Sequence, residues 1–145
     1  MSKTFTLGEA QTLLPVLEAL LVRARDAALR GAELELEMQQ LSHRIFLSGG
    51  MHVDVSVAAR RRAERDKAVQ STTDTIAEIE EIGARVHDLE AGVLDFPCQV
   101  EGRSALLCWK LGEAAISHWH GQEESPEERI LLGGRFVKGE RERLN

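Results

Sequence analysis

From Pro15 onward the apolar and small residues Leu17, Leu20, Ala24, Ala27, Gly31, Leu34, Met38, Leu41 and Ile45 recur at alternating steps of three and four. That spacing is a heptad seam, and it predicts one long helix running to about Phe46. Gly49 and Gly50 end it and turn the chain back, since paired glycines favour positive φ and offer nothing to pack. Upstream, Thr6 and Glu9 stand three residues apart in "TLGE", a capping-box pattern that starts a helix near Leu7. Pro15 lacks an amide and crowds the preceding turn, so "EAQTLLP" is either a short helix ending before it or the first limb of a kinked one, and a break is expected near Leu14.

A second helix is expected from a cap at Ser56 to Gly83, with Val69, Thr72, Ile76 and Ile79 repeating the seam. Arg62 and Arg65 stand where its apolar line would continue. That end is either less buried or meets acidic residues of a partner helix. Two long helices on a short Gly-Gly connection predict an antiparallel αα-hairpin with an uncovered apolar flank.

After Gly83 the texture changes to short runs punctuated by Glu-Ala-Gly, Glu-Gly and Leu-Gly-Glu, which reads as an antiparallel meander with strands near 85–89, 93–98, 103–110 and 114–120. Pro97 lacks a ladder donor, so the second strand lies at an edge there or bulges. "SPEER" offers a short helix from Pro126, "LLGGRF" a loop with apolar anchors, and the charged end "VKGERERLN" a frayed tail. The fold class is therefore α+β: a long antiparallel helical hairpin packed on a small β-meander. One domain of residues 1–145 is expected, divided into the hairpin with its N-terminal helix (7–84), the meander (85–120) and a loop and tail (121–145).

Alternation along the second and third strands puts Leu94, Phe96, Ala105, Leu107 and Trp109 on an apolar face that suits the helices. Asp95, Leu106, Cys108 and Lys110 fall on the other. The fourth strand admits two registers. A three-residue bulged loop at Leu111 to Glu113 puts Trp119 on the apolar face and His118 and His120 beside Asp95 and Cys108. A two-residue turn at Gly112 and Glu113 slips the register by one and puts both histidines on the helix-facing side, where glutamates of the first helix, or His43 and His52, become available.

The chemistry at stake is that of "HWHG", where two imidazoles two residues apart point to one face of a strand. With a carboxylate from Asp95 or Glu113, or from Asp88 or Glu90, they form a set suited to Zn²⁺, Ni²⁺, Fe²⁺ or Mn²⁺, with positions open for a nucleophilic water. The competing structural reading is that Trp119 packs as core and the histidines are incidental. Cys108, within an apolar run, reads as a small buried hydrophobe rather than a nucleophile. "RRRAERDK" interleaves its cations with Glu64 and Asp66, as a solvated, salt-bridged helix face does. Nucleotide-loop, zincin and nucleophile-elbow motifs have no match.

Composition narrows the classes further. A chain of 145 residues with net charge -6 lacks the positive field that gripping nucleic acid requires. Cys98 and Cys108 have neither a zinc-knuckle nor a redox-pair spacing and are read as reduced thiols. No spanning segment and no secretory leader is visible, so the expected location is cytoplasmic.

The strings "FTLGEAQTLLP", "DLEAGVLDFPC", "GRSALLCWKLGE" and "HWHG" together resemble an uncharacterised bacterial protein family, domain of unknown function 2203, over roughly Phe5 to Arg135. The resemblance implies that Asp88, Asp95, Pro97, Trp109, Gly112, Glu113, Trp119 and His120 belong to the family's pattern. It also implies that an aromatic residue is more usual where this chain has His118, which makes His120 the firmer of the two. It implies no activity and no ligand set.

Three functional expectations result. The first is a self-associating scaffold or interaction protein, a homodimer through its helical hairpin, because a hairpin and one small sheet leave helical flank uncovered. The second is a divalent-metal protein, with metal-dependent hydrolysis as the activity it would carry, using His118, His120, Asp95 and Glu113. A lesser third is an adaptor whose basic helix docks acidic partners.

Overall fold

In the computed structural model, Thr6 N–H donates to Glu9 Oε1 at 2.8 Å and Glu9 N–H returns to Thr6 Oγ1 at 2.9 Å, so the capping box forms as its spacing predicts. The structure describes residues 4–49, 55–100, 102–121 and 129–132. Helix α1 (Leu7–Leu47) starts at this cap and α2 (Val55–Ile82) follows. The strands are β1 (Arg85–Asp88), β2 (Val93–Val100), β3 (Arg103–Lys110), β4 (His118–Gly121) and β5 (Ile130–Leu131), in one antiparallel sheet of order β1-β2-β3-β4-β5. Two helices and an antiparallel sheet make the chain α+β. The described residues fall into two compact units, one drawn from Met1–Val22 with Ile76–Asn145, the other from Arg23–Thr75.

The expected break at Leu14 does not occur: Pro15 lies inside α1. Its side is exposed, whereas Ala10, Leu14, Leu17 and Leu21 are buried. The proline ring thus stands in solvent, and the apolar stripe on the other side keeps the helix continuous. The helix ends where the glycines predicted, with Gly49 at φ 67°. Ser56 proves to be inside α2 rather than before it.

In the first unit, Leu94, Phe96, Leu107 and Trp109 join Phe5, Leu14, Leu17, Leu21 and Ile79 in one buried cluster. Phe5 meets Phe96 edge-on, ring centroids 5.6 Å apart. Pro97 finds the edge predicted for it. β1 pairs β2 only from Val93 to Asp95, and beyond that point Phe5 N–H donates to the Pro97 carbonyl at 2.7 Å. The expected strand over 114–120 shortens to His118–Gly121, and "ILL", read as loop, supplies β5 and a Leu132 amide bonded to the Ser117 carbonyl at 2.8 Å. The helix expected from Pro126 and the charged tail lie outside the described residues.

In the second unit the α1 seam is as the periodicity sets it, with Ala24, Gly31 and Leu34 buried. The α2 seam holds in part: Thr72 is half-buried and Ile79 buried on the expected line, whereas the burial expected at Val69 and Ile76 falls on Ala68 and Thr75. Val69 is 54% exposed. Thr75 tolerates burial because its hydroxyl donates to the Ser71 carbonyl at 2.7 Å. Arg65 meets acid, as one of the two expectations for it held: its Nη1 lies 2.7 Å from Glu35 Oε2.

Candidate functional site

The register of β2, β3 and β4 decides which polar side chains meet. Asp95 stands opposite Cys108, Cys108 opposite His118, and Leu106 opposite His120. Directly paired residues share a face, so both histidines lie on the Asp95 and Cys108 side while Trp119, opposite Leu107, packs against the core. This is the first of the two predicted face assignments, but it is not produced by a tight turn. The connection runs from Leu111 to Ser117, with Gly112 at φ 103°. Glu113 organises it. Its amide donates to the Lys110 carbonyl at 3.0 Å, its carbonyl accepts Trp109 Nε1–H at 2.9 Å, and its Oε1 accepts Lys110 N–H at 2.9 Å.

Asp95, Cys108 and His120 converge. One carboxylate oxygen, the Cys108 sulfur and a His120 ring nitrogen all lie within 4.8 Å of one another, and all three residues are buried. His120 Nε2 is 3.0 Å from Asp95 Oδ1, and its Nδ1 is 2.8 Å from the Gly121 carbonyl oxygen. A carbonyl only accepts, so the Nδ1 proton is committed to it and Nε2 of a neutral ring carries a lone pair. Two acceptors then face each other at 3.0 Å unless a proton or a metal cation lies between them. The other carboxylate oxygen, Oδ2, is 3.1 Å from Nδ1 of His87, a half-exposed residue of β1.

His118 and Glu113 form a neighbouring group. His118 Nδ1 bonds Ser117 Oγ at 2.8 Å and is 3.9 Å from Glu113 Oε2. Arg129 takes the Glu113 carboxylate at both oxygens, 3.1 and 2.8 Å. Desolvation pushes that carboxyl up, but the Arg129 bonds, the Lys110 amide and the nearby charges of Arg129 and His118 outweigh it and hold Glu113 below its ordinary value. Burial pushes the Cys108 thiol up to about 11, helped by Asp95 and opposed by Arg129. Cys98, buried on the other face, is raised to about 12.

Of the four ligands read from sequence, the structure thus brings Asp95 and His120 together and sets His118 and Glu113 beside Arg129. Asp88 caps a turn through the Ala91 amide at 3.0 Å, and His43 is exposed in the second unit. His52 lies outside the described residues. Sequence reasoning missed His87 as a partner of Asp95. The signal was there, since placing Val86 inward puts His87 on the Asp95 face, but it needed the β1 register. Cys108 was placed on the right face and set aside as core.

Among the described residues no helix is long and apolar enough to cross a membrane. No curated protein and no solved structure matches the chain. A family profile does, over residues 3–132, a span that contains every residue the structure describes. The chain belongs to the family described as "Uncharacterized conserved protein (DUF2203)".

Proposed function

We infer that the protein binds a divalent transition metal, zinc foremost, through Asp95, Cys108 and His120. The observation that carries this reading is the pair of acceptors at 3.0 Å, His120 Nε2 and Asp95 Oδ1, with the remaining ring proton fixed by the Gly121 carbonyl. A ligating histidine typically holds its second nitrogen on such a carbonyl, which sets its tautomer and aim. Tetrahedral zinc with N and O ligands at about 2.0–2.1 Å separates them by about 3.3 Å, so His120 and Asp95 need to part by only a few tenths of an ångström, and Cys108 stands within reach of both. A mixed sulfur, nitrogen and oxygen set suits zinc better than magnesium or calcium. Three protein ligands leave one tetrahedral position for water, whose pKa zinc lowers to about 7. That is the arrangement a metal-dependent hydrolase uses.

The test is elemental analysis of untagged protein, followed by cobalt substitution. About one equivalent of metal, a thermal shift on adding zinc and a thiolate-to-cobalt charge-transfer band abolished by Cys108→Ser are expected. Protein that neither carries metal nor gains thermal stability from zinc, nickel or manganese overturns the reading and leaves a buried imidazolium–carboxylate pair.

A second reading, a scaffold that self-associates as a homodimer through its hairpin, is favoured by Leu29, Leu36 and Val69, which stand 59, 55 and 54% exposed on the second unit. Buried free thiols at Cys98 and Cys108 also fit a cytoplasmic protein kept reduced. Light scattering at micromolar concentration that returns the mass of one chain removes the dimer.

A further inference from the structure

The pole of the second unit where α1 ends and α2 begins differs in charge from the rest of the chain. From Gln39 to Ala63 the sequence holds four cations, Arg44, Arg60, Arg61 and Arg62, against one acid, Asp54. That span is +3 in a chain of -6, which leaves -9 for all other residues. Arg61 is taken up by Glu37 at 3.3 Å and Glu64 at 3.7 Å, whereas Arg44, Arg60 and Arg62 have no acidic partner among the described residues. The same pole carries Phe46, Leu47 and Val55, which are 80, 69 and 71% exposed, Phe46 more so than any other large apolar side chain described. The pair of Arg61 and Glu37 marks a level at which the two helices are abreast. Phe46 and Val55 lie about 14 and 9 Å beyond it along their helices, so the apolar side chains share one end with the unpaired arginines.

We propose that this pole docks on the surface of an anionic lipid bilayer, Phe46, Leu47 and Val55 entering the acyl boundary and Arg44, Arg60 and Arg62 meeting lipid phosphates. Single apolar residues in water are ordinary. Three of them gathered among unpaired arginines have the two attractions, apolar burial and cation to anionic lipid, that hold a peripheral protein in the interface. The geometry suits this. Arg60 and Arg62 start about 8 and 11 Å behind Val55. Side chains of a helix tilt toward its N-terminus, which for α2 is the pole, so both lean toward the layer of headgroups, about 5–8 Å deep, with their apolar stems alongside. Charge selects the occupant. An anionic surface repels the -9 of the other residues and attracts this end, which turns the pole toward it. A second copy would set like charges against each other, and three side chains fall far short of the roughly 1,200 Å² a stable interface buries. Nucleic acid would use the arginines and leave the apolar side chains in water. Such docking requires no spanning helix and is independent of the metal reading.

Flotation of the full chain with vesicles tests this. Vesicles of phosphatidylglycerol and phosphatidylcholine in equal parts are expected to bind at least about 10-fold more tightly than phosphatidylcholine alone, since each arginine near an anionic surface contributes about fivefold. Raising the salt from about 0.1 to 0.5 M should release the protein. Arg60→Glu with Arg62→Glu is expected to weaken binding at least about 20-fold, and Phe46→Ser with Leu47→Ser at least about 10-fold. All four side chains are exposed, so far-UV circular dichroism should not change. Should the serine variant fray α1, Val55→Ser reads the same insertion from α2. Arg23→Glu, at an exposed position about 32 Å from Arg44 along α1, is expected to leave binding intact. Wild type that stays unbound overturns the proposal, as does binding that survives both pole variants or that Arg23→Glu abolishes equally. Binding lost with the arginines but untouched by the serine variants overturns the insertion of Phe46, Leu47 and Val55. Retention of polyglutamate or duplex DNA, with vesicles left unbound, assigns the arginines to an acidic macromolecule and overturns the lipid dock.

Discussion

His120 holds Gly121 with one ring nitrogen and Asp95 with the other, at 2.8 and 3.0 Å, entirely out of solvent. The two ends of that ring are not equivalent, and mutation should expose the difference. Asp95→Asn replaces a carboxylate oxygen by an amide that donates to the Nε2 lone pair, so its cost should be small, under about 1.5 kcal/mol. His120→Ala leaves the buried carboxylate one partner short and opens a cavity, at a cost of about 3–5 kcal/mol. Urea unfolding of the metal-free proteins measures both. Equal losses would contradict the assigned tautomer.

The Glu113 and Arg129 pair gives a pH signature. Glu113 titrates below its ordinary value in the folded protein, so its contribution is present above the unfolded carboxylate value and is lost as pH falls through the folded one. Arg129→Ala is expected to raise the Glu113 carboxyl titration, followed by carbon NMR. It should also flatten the acid limb of stability. An unmoved titration would mean that the Lys110 amide bond suffices to hold the carboxylate.

Thiol reactivity follows from burial. With Cys98 raised to about 12 and Cys108 to about 11, thiolate at pH 8 is scarce, and a disulfide reagent should label the native protein at least about 100-fold slower than a free thiol. In denaturant both cysteines should react at once. Fast labelling of one native thiol would show that its face of the sheet opens.

Gly31 offers a stabilising change. A Cβ there would meet Ala68 Cβ and Val69 Cγ2, both at 3.7 Å, an ordinary contact. Gly31→Ala is therefore expected to add about 0.5–1 kcal/mol, because glycine within a helix carries excess unfolded-state entropy. A rise in the urea midpoint at unchanged slope is the readout.

Local rules determined much of this protein by themselves. The cap at Thr6 and Glu9, the α1 seam, the stop at Gly49, the edge placement of Pro97 and the two faces of β2 and β3 all follow from interactions within a few residues or from strict alternation. Pro15 shows where such rules end: its lost amide bond is a local cost that a stripe buried against distant strands outweighs. Val69 and Thr75 teach the same about α2, because which of two adjacent stripes is buried depends on the surface of the other helix. Only the tertiary structure decided which of the candidate side chains meet. His120, Cys108 and Asp95 come from three strands, joined by a seven-residue connection whose path is set by Glu113 and Arg129. Periodicity told which face Asp95 and Cys108 take but left His120 open between two registers, and register is fixed by contacts between residues far apart in the chain.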